Sequence, residues 1–321
     1  MKLEDIGFYT LTDDRAKNIS IKSPIQRMEI ILTDRCNLKC PYCRGLKPEL
    51  QGDIDLQDSL RIVNYGFKNR LNNIRFSGGE PTLHKYLKAL VFLCKAYKVA
   101  RIAISTNGTA LISDYQELID LGVNDFSISL DASCCAIGEI MVGGNKEAWE
   151  KASEAIKYLS NKTYVTVGVV FNELNYKTAI ETILYIDSLR PSDIRIISSA
   201  QYNQALLSLA DLPKNIINKY PILKYRINNI NKRNVRGLIS ADSPYCYLVM
   251  DDLAVAGNYH FPCIIYLREG GDPIGRMHKN FRKDRFKWFI NHSSFEDKIC
   301  RNNCLDVCIE FNNRVRGFKG E

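Results

Sequence analysis

Thr33-Asp34-Arg35-Cys36-Asn37-Leu38-Lys39-Cys40-Pro41-Tyr42-Cys43 is the stretch whose reading decides the fold. It offers three thiols, Cys36, Cys40 and Cys43, with three residues and then two between them. Thiolates held this close suit one soft metal centre, and iron–sulfur clusters sit on such runs. No fourth Cys stands nearby. A structural zinc site is a closed tetrahedron, so zinc here requires a distant fourth ligand, as in a partial zinc knuckle. In a catalytic iron–sulfur cluster the same gap leaves one iron open to a ligand that is not protein. The spacing by itself leaves both readings open.

Outward from this loop the chain alternates. Residues 27–32 form a short apolar run that reads as a strand, directly before the Cys loop. Residues 58–71 follow as a helix, with Leu60, Val63, Phe67 and Leu71 at helical spacing. Further strands are expected at 74–77, 101–105, 125–130, 163–170 and 193–197, and further helices at 85–97, 114–121, 147–159 and 176–189. Six strands separated by helices imply right-handed crossovers and a parallel sheet. Polar signatures fall just after the strands: the Cys loop, Ser77-Gly78-Gly79-Glu80-Pro81, Ser105-Thr106-Asn107-Gly108, Ser129-Leu130-Asp131, Phe171-Asn172 and Ser198-Ser199-Ala200-Gln201. Chemistry at the C-terminal ends of several strands is the arrangement of a barrel, whereas an open sheet gathers its site at one switch point.

Each signature has two readings. The glycines of Ser77–Pro81 allow close backbone approach and positive φ, and Glu80 supplies an acceptor for an ammonium group. The same residues also make an ordinary turn. Ser105, Thr106, Asn107, Ser129, Asp131 and, more weakly, Asn172 offer hydroxyl, amide and carboxylate groups to a ligand. The same side chains cap helices and shape turns.

Taken together, the three-Cys loop with an aromatic before its last Cys, the Gly-Gly-Glu-Pro segment one βα unit later, and the third- and fourth-strand motifs resemble the radical S-adenosylmethionine (SAM) superfamily. The later motifs are similar to those of its cyclic pyranopterin (molybdenum-cofactor) enzyme and of its peptide-modifying branch. The resemblance covers roughly residues 27–200 and implies a partial (β/α)6 TIM-like barrel. It implies a [4Fe–4S] cluster on Cys36, Cys40 and Cys43 whose open iron binds SAM. It places the SAM amino group at Gly78, Gly79 and Glu80, the carboxylate and ribose near Ser105, Thr106, Asn107, Ser129, Asp131 and Asn172, and the adenine near Tyr42. A flavodoxin- or ferredoxin-type electron donor is implied as well.

Beyond about residue 205 the alternation stops, and the expected domains are an N-terminal extension (1–24), the barrel (25–205) and a small C-terminal α+β module (206–321). In that module Cys246 and Cys263 flank an expected hairpin with Gly257-Asn258 at its turn, and Cys300, Cys304 and Cys308 follow on one short segment. This pattern looks like the twitch module, a shortened SPASM domain holding one auxiliary [4Fe–4S] cluster. Its expected ligands are Cys246, Cys263, Cys300 and Cys304, with Cys308 the alternative. Both late gaps hold three residues where the family's close pair has two, and a structural zinc is the competing reading.

Of the remaining thiols, Cys94 shares a helix face with Leu87, Leu90 and Val91 and reads as core. Cys134 and Cys135 follow Asp131 and are candidate hydrogen donors to a substrate radical, of which at most one can face the substrate. Otherwise they are small apolar loop residues. The four His (His84, His260, His278, His292) show no ligand spacing, and Trp149 and Trp288 read as packing residues.

Composition bounds the rest. The chain has 321 residues, 45% hydrophobic and 25% charged, which suits a soluble globular protein with a sizeable core. The beginning lacks signal-peptide character and no apolar run approaches a membrane span, so a cytoplasmic protein without membrane contact is expected. In that reducing compartment eleven Cys point to metal rather than disulfides. The formal net charge is +8, and residues 212–241 carry no acid but hold Lys214, Lys219, Lys224, Arg226, Lys232, Arg233 and Arg236. A second basic cluster spans 276–287. Such stretches are either solvated faces or contacts for an anionic partner.

The expected protein is a radical SAM enzyme of oxidoreductase or isomerase type. A ribosomally made peptide leads as substrate, for crosslinking, epimerisation or oxidation. A nucleotide, or a nucleobase within nucleic acid, is the alternative. A zinc-bound nucleic-acid-binding protein without enzyme activity is the rival from another class.

Overall fold

β-branched runs and amphipathic segments take turns along the chain, and each condenses into the expected element. The computed structural model describes residues 10–198, 207–230 and 232–320. In chain order the elements are α1 (Asp13–Asn18), β1 (Arg27–Thr33), α2 (Leu56–Lys68), β2 (Asn73–Gly78), α3 (Leu87–Ala96), β3 (Arg101–Thr106), α4 (Ile112–Leu121), β4 (Asp125–Ser129), α5 (Cys135–Met141) and α6 (Ala148–Leu159). They continue with β5 (Tyr164–Phe171), α7 (Ala179–Ser188), β6 (Asp193–Ser198), α8 (Lys214–Lys219), α9 (Pro221–Ile230), β7 (Asp252–Ala256), β8 (Tyr259–Phe261), α10 (Ile264–Arg268), β9 (Gly275–Arg276), α11 (Phe281–Asn291), α12 (Lys298–Asn303) and α13 (Asp306–Lys319). Of the motif at 198–201, Ser199, Ala200 and Gln201 lie outside the described residues.

Caps set the boundaries. α2 starts earlier than its apolar spacing indicates, because the Asp55 carboxylate accepts the Asp58 N–H at 2.8 Å. α5 was not expected. It is a short helix through Gly138, where a Cβ would lie 2.7 Å from Cβ of Trp149, so only glycine lets Trp149 pack there. Trp149 in turn donates to the Ala132 carbonyl at 2.9 Å, in keeping with a packing residue.

The chain divides into two compact units. The first comprises the chain up to Arg35, Arg44–Ile102 and the chain from Arg236 on. In it β1 pairs in parallel with β2 on one side (Arg27↔Asn73) and with β7 on the other (Arg27↔Asp252). β7 and β8 are antiparallel, with Ala256 opposite Tyr259, so Gly257-Asn258 forms the expected two-residue turn; Gly257 has φ 53°. Because β7 joins β1, the C-terminal strands extend this sheet. Residues 10–24 also belong to this unit: Leu11, Ala16 and Ile19 are buried, and Arg15 forms a buried ion pair with Asp251.

The second unit comprises Cys36–Cys43 and Ala103–Val235. Here β3, β4, β5 and β6 run parallel in sequence order. Val165, Val167, Val169 and Phe171 on one face of β5 are wholly buried, and Thr166 and Gly168 on the other face are buried too, the pattern of a parallel strand covered on both faces. Residues 207–235, expected with the C-terminal module, fall in this unit. The reason is local: Asp193 of β6 accepts the Ile222 N–H at 3.2 Å, at the start of α9. Both units are thus α/β and mostly parallel, and β1 to β6 supply the six strands that the alternation requires.

Candidate functional site

In the second unit the Cys loop is held through its backbone and its polar neighbours. Cys36 and Cys43 are exposed and Cys40 is half-buried. The Lys39 N–H donates to the Val142 carbonyl at 3.2 Å. A Cβ at Gly143 would lie 2.3 Å from the Lys39 oxygen, so the loop rests on a glycine that has φ +77°. Asn107, after β3, donates through Nδ2 to Asn37 Oδ1 at 2.8 Å and points the same group at Cys36 Sγ, 3.8 Å away. The Leu38 N–H also points at Cys36 Sγ, at 3.4 Å. N–H donors aimed at sulfur suit a thiolate that binds metal.

At the end of β4, Asp131 is buried and its carboxylate accepts the Tyr42 hydroxyl and the Val170 N–H. Burial raises Asp131 to about 6, and these two donors oppose the rise. Burial, and next the Asp131 charge, push the Cys40 thiol up to about 11. The structure therefore joins Tyr42 and Asp131, two residues that the sequence placed separately around SAM.

Other expected residues fall differently. Ser129 is exposed at the strand end. Thr106 is buried, with its hydroxyl 3.0 Å from that of Tyr115 and accepting the Gly108 N–H at 3.1 Å, so its side chain serves the turn. Ser105 is half-buried in β3. Asn172 is buried and accepts the Leu174 N–H at 2.8 Å, again turn chemistry. Cys134 and Cys135 are both exposed at the start of α5. Cys94 is wholly buried, as expected.

In the first unit Gly78 and Gly79 meet the chain's own backbone. A Cβ at Gly78 would lie 2.3 Å from the Thr33 oxygen, and one at Gly79 would lie 2.2 Å from that of Arg35. The Gly79 N–H donates to Thr33 O at 2.7 Å and the Glu80 N–H to Arg35 O at 2.8 Å. These glycines fit the segment against the backbone that leads into the Cys loop. Glu80 is almost fully buried, and its Oε1 accepts the Thr82 N–H at 3.1 Å and hydroxyl at 2.7 Å. Arg268 from α10 donates to Gly78 O at 2.9 Å and Gly45 O at 3.1 Å, a link that no sequence signal announced.

The first unit also contains a cavity of about 40 Å³ lined by Cys246, Cys263, Cys300, Cys304 and Cys308. Cys246 precedes β7, Cys263 caps α10, Cys300 lies in α12, and Cys304 and Cys308 follow. Burial pushes Cys263 up to about 12 and raises the other four as well. Thiols this buried form thiolates only against a cation, and a soft metal supplies one. Donors already face two of the sulfurs: Tyr266 N–H to Cys263 at 3.4 Å and Asn312 Nδ2 to Cys246 at 3.9 Å. The donor set fits an iron–sulfur cluster. Among the described residues, the group of three metal-type donors lying within 4.8 Å of one another is His292, Asp297 and Cys300. A tetrahedral zinc with four thiolates needs sulfurs about 3.8 Å apart, so the five thiols are not gathered for that ion. No ligand role for His292 was legible in the sequence, because the spacing of the His residues carries no sign of it.

The basic stretch divides between exposed and engaged residues, with Lys214, Lys224 and Lys232 exposed. Arg226 is buried, Lys219 pairs with Asp187, and Arg236 pairs with Glu269. In the second basic cluster Arg285 is buried, and Arg282 donates to the Ile21 carbonyl.

A family model described as the radical SAM superfamily matches residues 30–186. The chain belongs to the radical SAM superfamily. Among curated relatives, the GTP 3',8-cyclase of Synechococcus sp. (strain CC9902) is 32% identical over 137 residues, 41% of this chain and 40% of its own length. The chain spans 35% to 62% of the length of such relatives, which are named GTP 3',8-cyclase or probable GTP 3',8-cyclase. Among solved structures, anSMEcpe with bound AdoMet has a TM-score of 0.61 at 15% identity, covering 92% of this chain and 97% of that one. Streptococcus suis SuiB bound to precursor peptide SuiA has a TM-score of 0.60 at 17% identity, covering 86% of this chain and 66% of that one. The fold of this radical SAM chain is thus the expected partial TIM-like barrel type. No helix among the described residues is long and apolar enough to cross a membrane.

Proposed function

We propose that this radical SAM chain is an enzyme that modifies a purine nucleotide. Cys36, Cys40 and Cys43 would hold a [4Fe–4S] cluster, and the C-terminal thiols would hold an auxiliary one. With an electron from a flavodoxin- or ferredoxin-type donor, the first cluster supplies reductive cleavage of SAM to methionine and a 5′-deoxyadenosyl radical that takes a hydrogen atom from substrate. The protein's own groups orient and exclude water. Asn107 and the Leu38 N–H direct hydrogen bonds at Cys36, Tyr42 and Asp131 fix the loop against β4, and Ser105 and Ser129 are expected near the SAM carboxylate and ribose. Gly78, Gly79 and Glu80 shape the segment expected at the SAM amino group, with Arg268 bracing it.

The observation that carries the substrate class is the likeness to the GTP 3',8-cyclases. A single nucleotide is favoured over a nucleic-acid polymer by the same likeness; within the basic stretch Arg226 is buried and Arg236 is paired, while Lys214, Lys224 and Lys232 are exposed. The peptide reading stands second. It is supported by the exposure of Cys134 and Cys135, one of which would donate hydrogen in an epimerisation.

Anaerobically reconstituted protein, reduced with dithionite and given SAM, is expected to form 5′-deoxyadenosine. GTP or another purine nucleotide should raise that yield and be consumed. If peptides stimulate turnover and nucleotides do not, the substrate assignment falls. If no 5′-deoxyadenosine forms under any condition, the whole reading falls.

A further inference from the structure

Five thiols line the C-terminal cavity, and a four-iron cluster with no open iron takes four thiolates. One is left over. Cys246, Cys263, Cys304 and Cys308 share the cavity with one another, but Cys300 also has neighbours of a different kind. His292 Nε2 lies 3.6 Å from Cys300 Sγ. Ligand atoms of His292, Asp297 and Cys300 all lie within 4.8 Å of one another.

We propose that Cys300, His292 and Asp297 form a separate mononuclear site for a zinc ion, and that Cys246, Cys263, Cys304 and Cys308 hold the auxiliary cluster. This rests on the auxiliary cluster assigned above. One sulfur, one imidazole nitrogen and one carboxylate oxygen are the donors zinc accepts, and three protein ligands leave a fourth position open. Magnesium and calcium, which prefer oxygen donors throughout, are excluded by the thiol and the imidazole.

The surroundings already orient each donor. The Asp297 carboxylate accepts the Cys300 N–H at 2.9 Å and the Tyr266 hydroxyl at 2.9 Å, and its remaining lone pairs are available to a cation. The His292 ring stacks on Trp288 with centroids 3.8 Å apart. Trp288 in turn meets Tyr266 edge to face. Fixed outer partners of this kind set ligand orientation before metal arrives. Asp297 caps α12, and the capping role alone explains its contact with the Cys300 N–H. It does not explain the imidazole beside the sulfur.

The test uses the full chain, reconstituted anaerobically with iron and sulfide, then given zinc chloride and desalted. Wild type is expected to retain about eight iron and one zinc per chain. The zinc X-ray absorption should show one sulfur neighbour near 2.3 Å with nitrogen and oxygen near about 2.0–2.1 Å. His292→Ala and Asp297→Asn should each lower retained zinc at least about tenfold with iron unchanged, the loss typical of a removed ligand or its support. Cys300→Ser should also spare the iron. Iron falling to about half in Cys300→Ser overturns the proposal, because Cys300 then serves the cluster. A zinc shell of four sulfurs, or zinc retention unaffected by His292→Ala, overturns it too. Wild-type iron near four per chain would sink the auxiliary cluster alone, and a one-sulfur zinc shell would still support the triad.

Discussion

The Tyr42 hydroxyl donates to the Asp131 carboxylate, fastening the Cys loop to the end of β4. Asp131 is buried, so its carboxylate depends on this donor and on the Val170 N–H. Tyr42→Phe leaves one buried oxygen without its donor, which costs about 2 kcal/mol. Urea unfolding of the variant should show a lower midpoint at an unchanged slope. An unaltered midpoint would mean that the bond contributes nothing to holding the loop.

Replacing Cys36, Cys40 and Cys43 together by Ala should abolish 5′-deoxyadenosine formation while the protein stays folded. The core of β1, Met28, Ile30 and Leu32, is wholly buried without help from the thiols. Circular dichroism and iron analysis separate the two effects. Dithionite-dependent 5′-deoxyadenosine from the triple variant would end the cluster assignment.

In the C-terminal thiols, Cys246→Ala or Cys263→Ala should reduce iron to about half and loosen the segment between β7 and α13, since metal binding is folding free energy in small metal modules. SAM cleavage without substrate should persist. Full iron content in both variants contradicts the auxiliary cluster.

Arg285 is wholly buried and donates to the carbonyls of Val249, Asp252, Phe261 and Pro262, which lie between Cys246 and Cys263. Burial lowers its pKa to about 10, so it remains charged at neutral pH. Arg285→Met strands several buried carbonyls and should destabilise the protein by about 3 kcal/mol or more. Thermal unfolding checks this, and a change below about 1 kcal/mol would show that the carbonyls find other donors.

Asp193 supplies a pH dependence away from any thiol. Burial raises its carboxyl from 3.8 to about 7, against the N–H donors of Ile194, Ile222 and Leu223. A carboxyl raised on folding contributes stability that is complete below its unfolded value and is lost as pH rises through its folded value. Wild type should therefore lose stability relative to Asp193→Asn between about pH 4 and pH 7, on the order of 3 kcal/mol in all. A constant difference between the two proteins across that range would disprove the shift.

Much was legible because it is local. The three-Cys spacing, the six strands, the Gly257-Asn258 turn and the buried face of Cys94 each depend on neighbours a few residues apart, and periodicity and turn chemistry record such neighbours directly. The partners within the basic stretch were not legible in this way. Charge counted along the chain says nothing of partners such as Asp187 and Glu269, which lie 32 and 33 residues away from Lys219 and Arg236.

What the sequence determined by itself is the three-Cys loop, the parallel α/β order and the family. Only the tertiary structure decided that Gly78 and Gly79 fit against the backbone of Thr33 and Arg35 and that Tyr42 meets Asp131. The physical reason is that strand pairing and burial bring these groups together across long stretches of chain. Their distances are set by how the elements pack, and no spacing in the sequence encodes them.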